Sequence, residues 1–140
     1  MANTIERIID LDATPFIPKG LVLVGHKGGG QFKWNPARVS LYLSEGQRTR
    51  RWISGVKLRE ELKGKPVLNA NVLDFLLANP ELIPEEWTGK YIFFWGTSYR
   101  YANNDSGIRY LRRSGREWNC YDRPIRSVWF PEDPAAVLSN

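Results

Sequence analysis

The chain reads as an α+β domain in which two short helices pack on an antiparallel sheet, and three features of the sequence predict this. Runs rich in branched and aromatic residues, GLVLVGH at 20–26 and YIFFWGTSYRY at 91–101, have the character of strands. Two segments between them carry apolar residues at helical spacing. Turn signals then divide the C-terminal part at ANNDSG, Ser114-Gly115 and Asp122-Arg123-Pro124, which gives a four-stranded meander. With 140 residues and 42% hydrophobic side chains, the chain has the size and apolar content of one domain, spanning 1–140.

In chain order, IERIIDL at 5–11 is a short first strand, broken by Pro15 and Pro18. GLVLVGH at 20–26 has the continuous apolar run of a buried strand, and Gly28-Gly29-Gly30 leads from it into QFKW through a hairpin or loose loop. VSLYLSE at 39–45 alternates apolar and polar positions, the period of a half-buried strand, and the basic loop GQRTRRW follows it. SGVKLREELKG at 54–64 reads as a helix capped by Ser54 and stopped by Gly64 and Pro66. In NANVLDFLLANPELIPEEW, Asn69 or Asn71 caps a second helix whose stripe is Val72, Leu73, Leu76 and Leu77, and Pro80 ends it. The strand at 91–101 opens on five consecutive apolar positions, which implies cover on both faces there.

The segments GKPVLNANVLDFLLANPELIPEEW and GKYIFFWGTSYR resemble a group of small bacterial proteins, and the resemblance extends over most of the chain from about Trp34 onward. It implies a single self-contained domain and brings no activity, cofactor or catalytic residue with it.

Composition narrows the function classes. The first twenty residues carry acids and prolines where a secretory signal needs a basic start and an apolar stretch, so a cytoplasmic protein is expected. No window has the length and apolarity of a membrane span. A single cysteine, Cys120, and a single histidine, His26, form no metal-binding cluster, and no metal or other cofactor is expected. GHKGGGQ follows a strand as a phosphate loop would, but it lacks the Gly-Lys-Ser/Thr ending that a Walker loop needs at a helix N-terminus. His26 has no patterned nucleophile, and the adjacent Glu85 and Glu86 diverge, so a non-enzymatic protein is expected. The net charge of +5 is unevenly spread: −2 over residues 1–18, +8 over 19–65, −4 over 66–89 and +3 over 90–140. Such asymmetry suits an anionic partner, although a solvated basic surface gives the same numbers.

The sharpest candidate site is GIRYLRRSGREWNCYDRPIRSVWF at 107–130, with six arginines among large aromatic residues. A Ser114-Gly115 hairpin loop pairs Arg113 with Arg116, Leu111 with Trp118 and Arg109 with Cys120; a loop at 122–124 then sets Cys120 opposite Arg126. One face carries Arg109, Arg113, Arg116 and Arg126 around Leu111, Trp118, Cys120, Val128 and Phe130, and the other carries Ile108, Tyr110, Tyr121, Ile125 and Trp129. Burying four unpaired guanidiniums costs more than burying the second face, so the first is expected in water. Guanidiniums around an exposed indole suit single-stranded nucleic acid, RNA or DNA, through phosphate contacts and base stacking. Arg50 and Arg51, with Arg48, add a second basic element beside Trp52. The alternative expectation is a protein-interaction or accessory protein, of the kind found in phage or mobile elements, whose basic face docks an acidic protein partner or the acidic 66–89 segment of another copy.

Overall fold

Consecutive apolar residues on a strand need cover on both sides, and Ile92 to Trp95 receives it, every one of these residues being buried. The computed structural model describes residues 7–139. In chain order its strands are β1 (Ile8–Asp10), β2 (Val22–His26), β3 (Gln31–Lys33), β4 (Val39–Tyr42), β5 (Ile53–Ser54), β6 (Ile92–Phe93), β7 (Thr97–Arg100), β8 (Ser106–Ser114), β9 (Glu117–Pro124), β10 (Val128–Trp129) and β11 (Ala135–Leu138). The α-helices are α1 (Gly55–Leu62) and α2 (Ala70–Ala78), so the class is α+β with a C-terminal strand series. The main sheet runs β2-β7-β8-β6-β11-β4, with β9 on the remaining edge of β8. Its pairings are antiparallel except for β6 with β11.

Two cores lie on opposite faces of this sheet. On one, Leu73 and Leu76 of α2 pack with Ile92, Phe94, Leu111 and Ala136. On the other, Leu58 and Leu62 of α1 pack with Phe93, Trp95, Ile108, Ile125, Trp129 and Ala135. The alternation is strict: Ile92 and Phe94 face one way, Phe93 and Trp95 the other, as the pleat requires. Both helices start where the sequence signals them. Ser54 accepts from the Lys57 N–H at 3.2 Å, and Asn69 accepts from the Asn71 N–H at 3.0 Å.

Four local differences from the expected elements have identifiable causes. The first strand is described from Ile8 to Asp10, while Ile5 and Glu6 lie outside the described residues. β2 is an edge strand with Val22 and Val24 about half exposed, not a buried one, because only β7 pairs with it. The 91–101 run is interrupted between β6 and β7, where Gly96 turns its N–H to the Leu68 carbonyl and its own carbonyl to the Lys27 N–H. β10 pairs with β5 instead of folding back onto β9, and the 122–124 segment expected to turn ends β9 as strand.

The glycine-rich loop is not a hairpin, since β3 pairs with β1 and β2 pairs with β7. Its amides already hold an anion of the protein's own: Asp12 accepts from the N–H groups of Gly29 at 3.0 Å and Gly30 at 3.1 Å. A side chain at Gly28 would run into the Asp12 carboxylate. His26 clasps the neighbouring elements. The Leu11 carbonyl can only accept, so His26 Nε2–H donates to it at 3.1 Å, and the Thr97 hydroxyl then donates to Nδ1 at 2.8 Å. Thr97 Oγ1 accepts in turn from the first N–H of α2, at Ala70. No helix among the described residues is long and apolar enough to cross a membrane.

Candidate functional site

The β8–β9 hairpin sorts side chains into the expected faces, but with pairing displaced by two residues. Arg113 lies opposite Trp118, Leu111 opposite Cys120 and Arg109 opposite Asp122, because the turn falls at Gly115-Arg116. The shift preserves parity, so Arg109, Leu111, Arg113, Trp118 and Cys120 still share a face. That face packs on the core instead of standing open to water. Leu111 is fully buried under α2, and Trp118 and Cys120 pack half-buried against the same core.

The expectation of four unpaired guanidiniums fails because carboxylates from other segments reach three of them. Arg109 is only 3% exposed, and its two terminal nitrogens grip Asp74 of α2 at 2.9 and 3.0 Å. The same guanidinium donates to Cys120 Sγ at 3.2 Å. Burial works against its charge, but the Asp74 hydrogen bonds and charge outweigh that and hold the proton more firmly than usual. Arg113 reaches Glu85 and Thr88, both at 3.3 Å, and Arg126 pairs with Asp105. Arg116 is exposed in the hairpin turn, off the strand face. The acidic segment 66–89 thus neutralises part of the basic sheet within one chain. Arg109, Arg113, Arg116, Trp118 and Arg126 make no common exposed platform.

The second basic element has a different fate. Gly46–Arg50 is one turn of π-helix, Arg51 takes left-handed backbone at φ 72°, and Trp52 emerges 53% exposed. Buried Gln47 fixes this turn from beneath. Its side-chain oxygen accepts from the Ser44 N–H, and its amide donates to the carbonyls of Phe130 at 2.8 Å and Asp133 at 2.9 Å. Above that anchor Arg48, Arg50 and Arg51 are exposed, and none has a carboxylate partner among the described residues. Phe130, which follows Trp129 at the end of β10, is 42% exposed.

Between the turn and α1 lies a cleft of about 400 Å³, lined by Glu45, Arg50, Trp52, Lys57 and Glu61 among others. Tyr42 donates to Glu61 at 2.8 Å on this side. Burial, then the hydrogen bond and charge of Glu61, push the Tyr42 phenol up to about 12. A phenol that keeps its proton longer when folded stabilises the protein fully below pH 10, and that contribution is lost as the pH rises to about 12. Urea midpoints at pH 9 and 11 should therefore fall further for the native protein than for Tyr42→Phe; equal falls would show that Tyr42 is not so placed.

Sequence reasoning flagged Arg48, Arg50 and Arg51 beside Trp52 and set Phe130 on the arginine face of the sheet, but not the Gln47 anchor, which acts through a contact across 83 residues. Comparisons with family models, curated proteins and solved structures give no match.

Proposed function

We propose that the protein is a non-enzymatic binding module for single-stranded nucleic acid, RNA or DNA, acting in the cytoplasm. The strand is held not on the sheet but at the turn that carries Arg48, Arg50, Arg51 and Trp52. The observation that carries this reading is the half-exposed indole of Trp52 beside unpaired guanidiniums, with Phe130 as a second exposed ring. Flat rings stack bases of any sequence, and exposed arginines on a fixed turn bind successive phosphates. The rigid Gln47 anchor limits the ordering that binding requires. An acidic protein partner would engage the same arginines without needing both rings.

Anisotropy of labelled RNA and DNA oligonucleotides at low and moderate salt tests this. Trp52→Ala should weaken binding by about 1 to 3 kcal/mol, roughly five- to 150-fold, as for loss of one stacked base. Arg50→Ala with Arg51→Ala should lower the salt slope by about 1.4, or roughly 0.7 per phosphate contact. Arg113→Ala should leave both quantities unchanged. The proposal fails if the native protein binds neither oligonucleotide, or if Trp52→Ala binds as the native protein does.

A further inference from the structure

A second cavity, of about 270 Å³, opens on the flank of α1 away from Trp52, lined by Lys27, Arg59, Lys63, Gly64 and Trp95 with Leu62 and Val67. Residues Ser54, Lys57 and Glu61 line the first cleft and Arg59, Leu62 and Lys63 this one, which puts the two on opposite sides of the helix. Three cations and no carboxylate form its lining. Lys27 is tied down: its ammonium donates to the Lys65 carbonyl at 2.7 Å, which leaves two N–H groups for another acceptor. Arg59 has no carboxylate partner among the described residues, and Lys63 has only the exposed Glu60 at 3.0 Å.

Trp95, 8% exposed, contributes its ring to the wall, while its indole N–H is sealed from solvent without a hydrogen-bond partner. The other unpartnered indole, Trp129, is wholly enclosed in the core. Cations near the C-terminal end of α1 also offset its dipole, but the dipole does not account for Lys27, which lies on the connection between β2 and β3. An oxyanion at this place accounts for all of them together. Its oxygens would accept from Arg59 and the two lysines. The cavity is below the roughly 300–1,000 Å³ of drug-sized sites, so the occupant is small.

We infer that this cavity is a phosphate site, taking inorganic phosphate or the phosphate head of a small monoester, bound by Lys27, Arg59 and Lys63 beside the Trp95 ring. It is separate from the Trp52 surface and does not depend on the reading given for that surface.

The test is a titration of inorganic phosphate into the full chain, against chloride at matched ionic strength, followed by the indole resonances in ¹⁵N–¹H spectra, with Trp95 assigned through Trp95→Phe. Phosphate should move the Trp95 indole signal saturably while chloride does not. Arg59→Ala, at an exposed position, should weaken the response about tenfold, in line with loss of a charge-assisted hydrogen bond, while the rest of its spectrum stays native. Trp52→Ala should leave it unchanged, so failure of nucleic-acid binding and failure of this site are told apart. Equal responses to both salts, or an undiminished response in Arg59→Ala, would overturn the assignment.

Discussion

Gly55→Ala is expected to destabilise the protein by about 3 kcal/mol or more, at the upper end of overpacking effects. Gly55 is the first residue of α1, and its N–H donates to the Ser127 carbonyl at 2.9 Å, which draws the helix start hard against the 125–129 segment. A methyl group there would overlap the Ile125 carbonyl oxygen, which is backbone, and the ring of the fully buried Trp129. Neither neighbour can swing aside as a flexible side chain would. Alanine would contribute at most about 1 kcal/mol of helix propensity in compensation, so the steric term wins. Urea denaturation should show a lower midpoint with an unchanged slope, whereas Val56→Ala, one residue on and half exposed, should move the midpoint little. A midpoint for Gly55→Ala within error of the native value would mean that α1 does not approach the sheet this closely.

The sequence carried the helices and the parity of the hairpin but not the identity of its solvent side. Ser54 and Asn69 were legible because capping is a local event between residues two or three apart. The parity survived a two-residue slip because faces alternate with period two. Burial of the arginines is not legible locally, because the acids that pair them lie far away in the chain. Asp74 lies 35 residues from Arg109, and Glu85 lies 28 from Arg113. One signal was present: Asp74 interrupts the apolar stretch VLDFLL of α2, and a lone carboxylate on a helix covering a sheet calls for a cation beneath it. At the candidate site, a basic loop ending in tryptophan was visible, whereas its fixity was not. That fixity comes from Gln47 bonding to two backbone carbonyls, and a backbone carbonyl leaves no residue-type signature in a sequence.

Asp133→Ala is expected to have the largest effect of any single substitution considered, about 3–5 kcal/mol, because it leaves a guanidinium in the core without its counter-charge. Asp133 is 1% exposed and accepts from Arg123 at 2.8 Å and from the Phe130 N–H at 2.7 Å. Arg123 in turn lies over the rings of Phe93, Tyr110 and Trp129, with its carbon 4.7 to 5.3 Å from their centroids. This aromatic cage is therefore filled by the protein's own cation and is not open to a ligand. If the cost comes from the stranded charge, Arg123→Met combined with Asp133→Ala should recover part of it, and a double-mutant cycle should give a coupling of more than 1 kcal/mol. Strict additivity would refute the pairing. The same carboxylate holds the 130–133 turn whose carbonyls anchor Gln47, so the damage should travel. Asp133→Asn, which keeps the shape and can still accept from Phe130, should remain folded in part and loosen the turn beneath Trp52. Oligonucleotide affinity should then fall without the loss of any group that touches the strand, and the salt slope should stay at its native value because Arg48, Arg50 and Arg51 remain. A salt slope lowered in Asp133→Asn would instead mean that Asp133 acts on the phosphate contacts themselves.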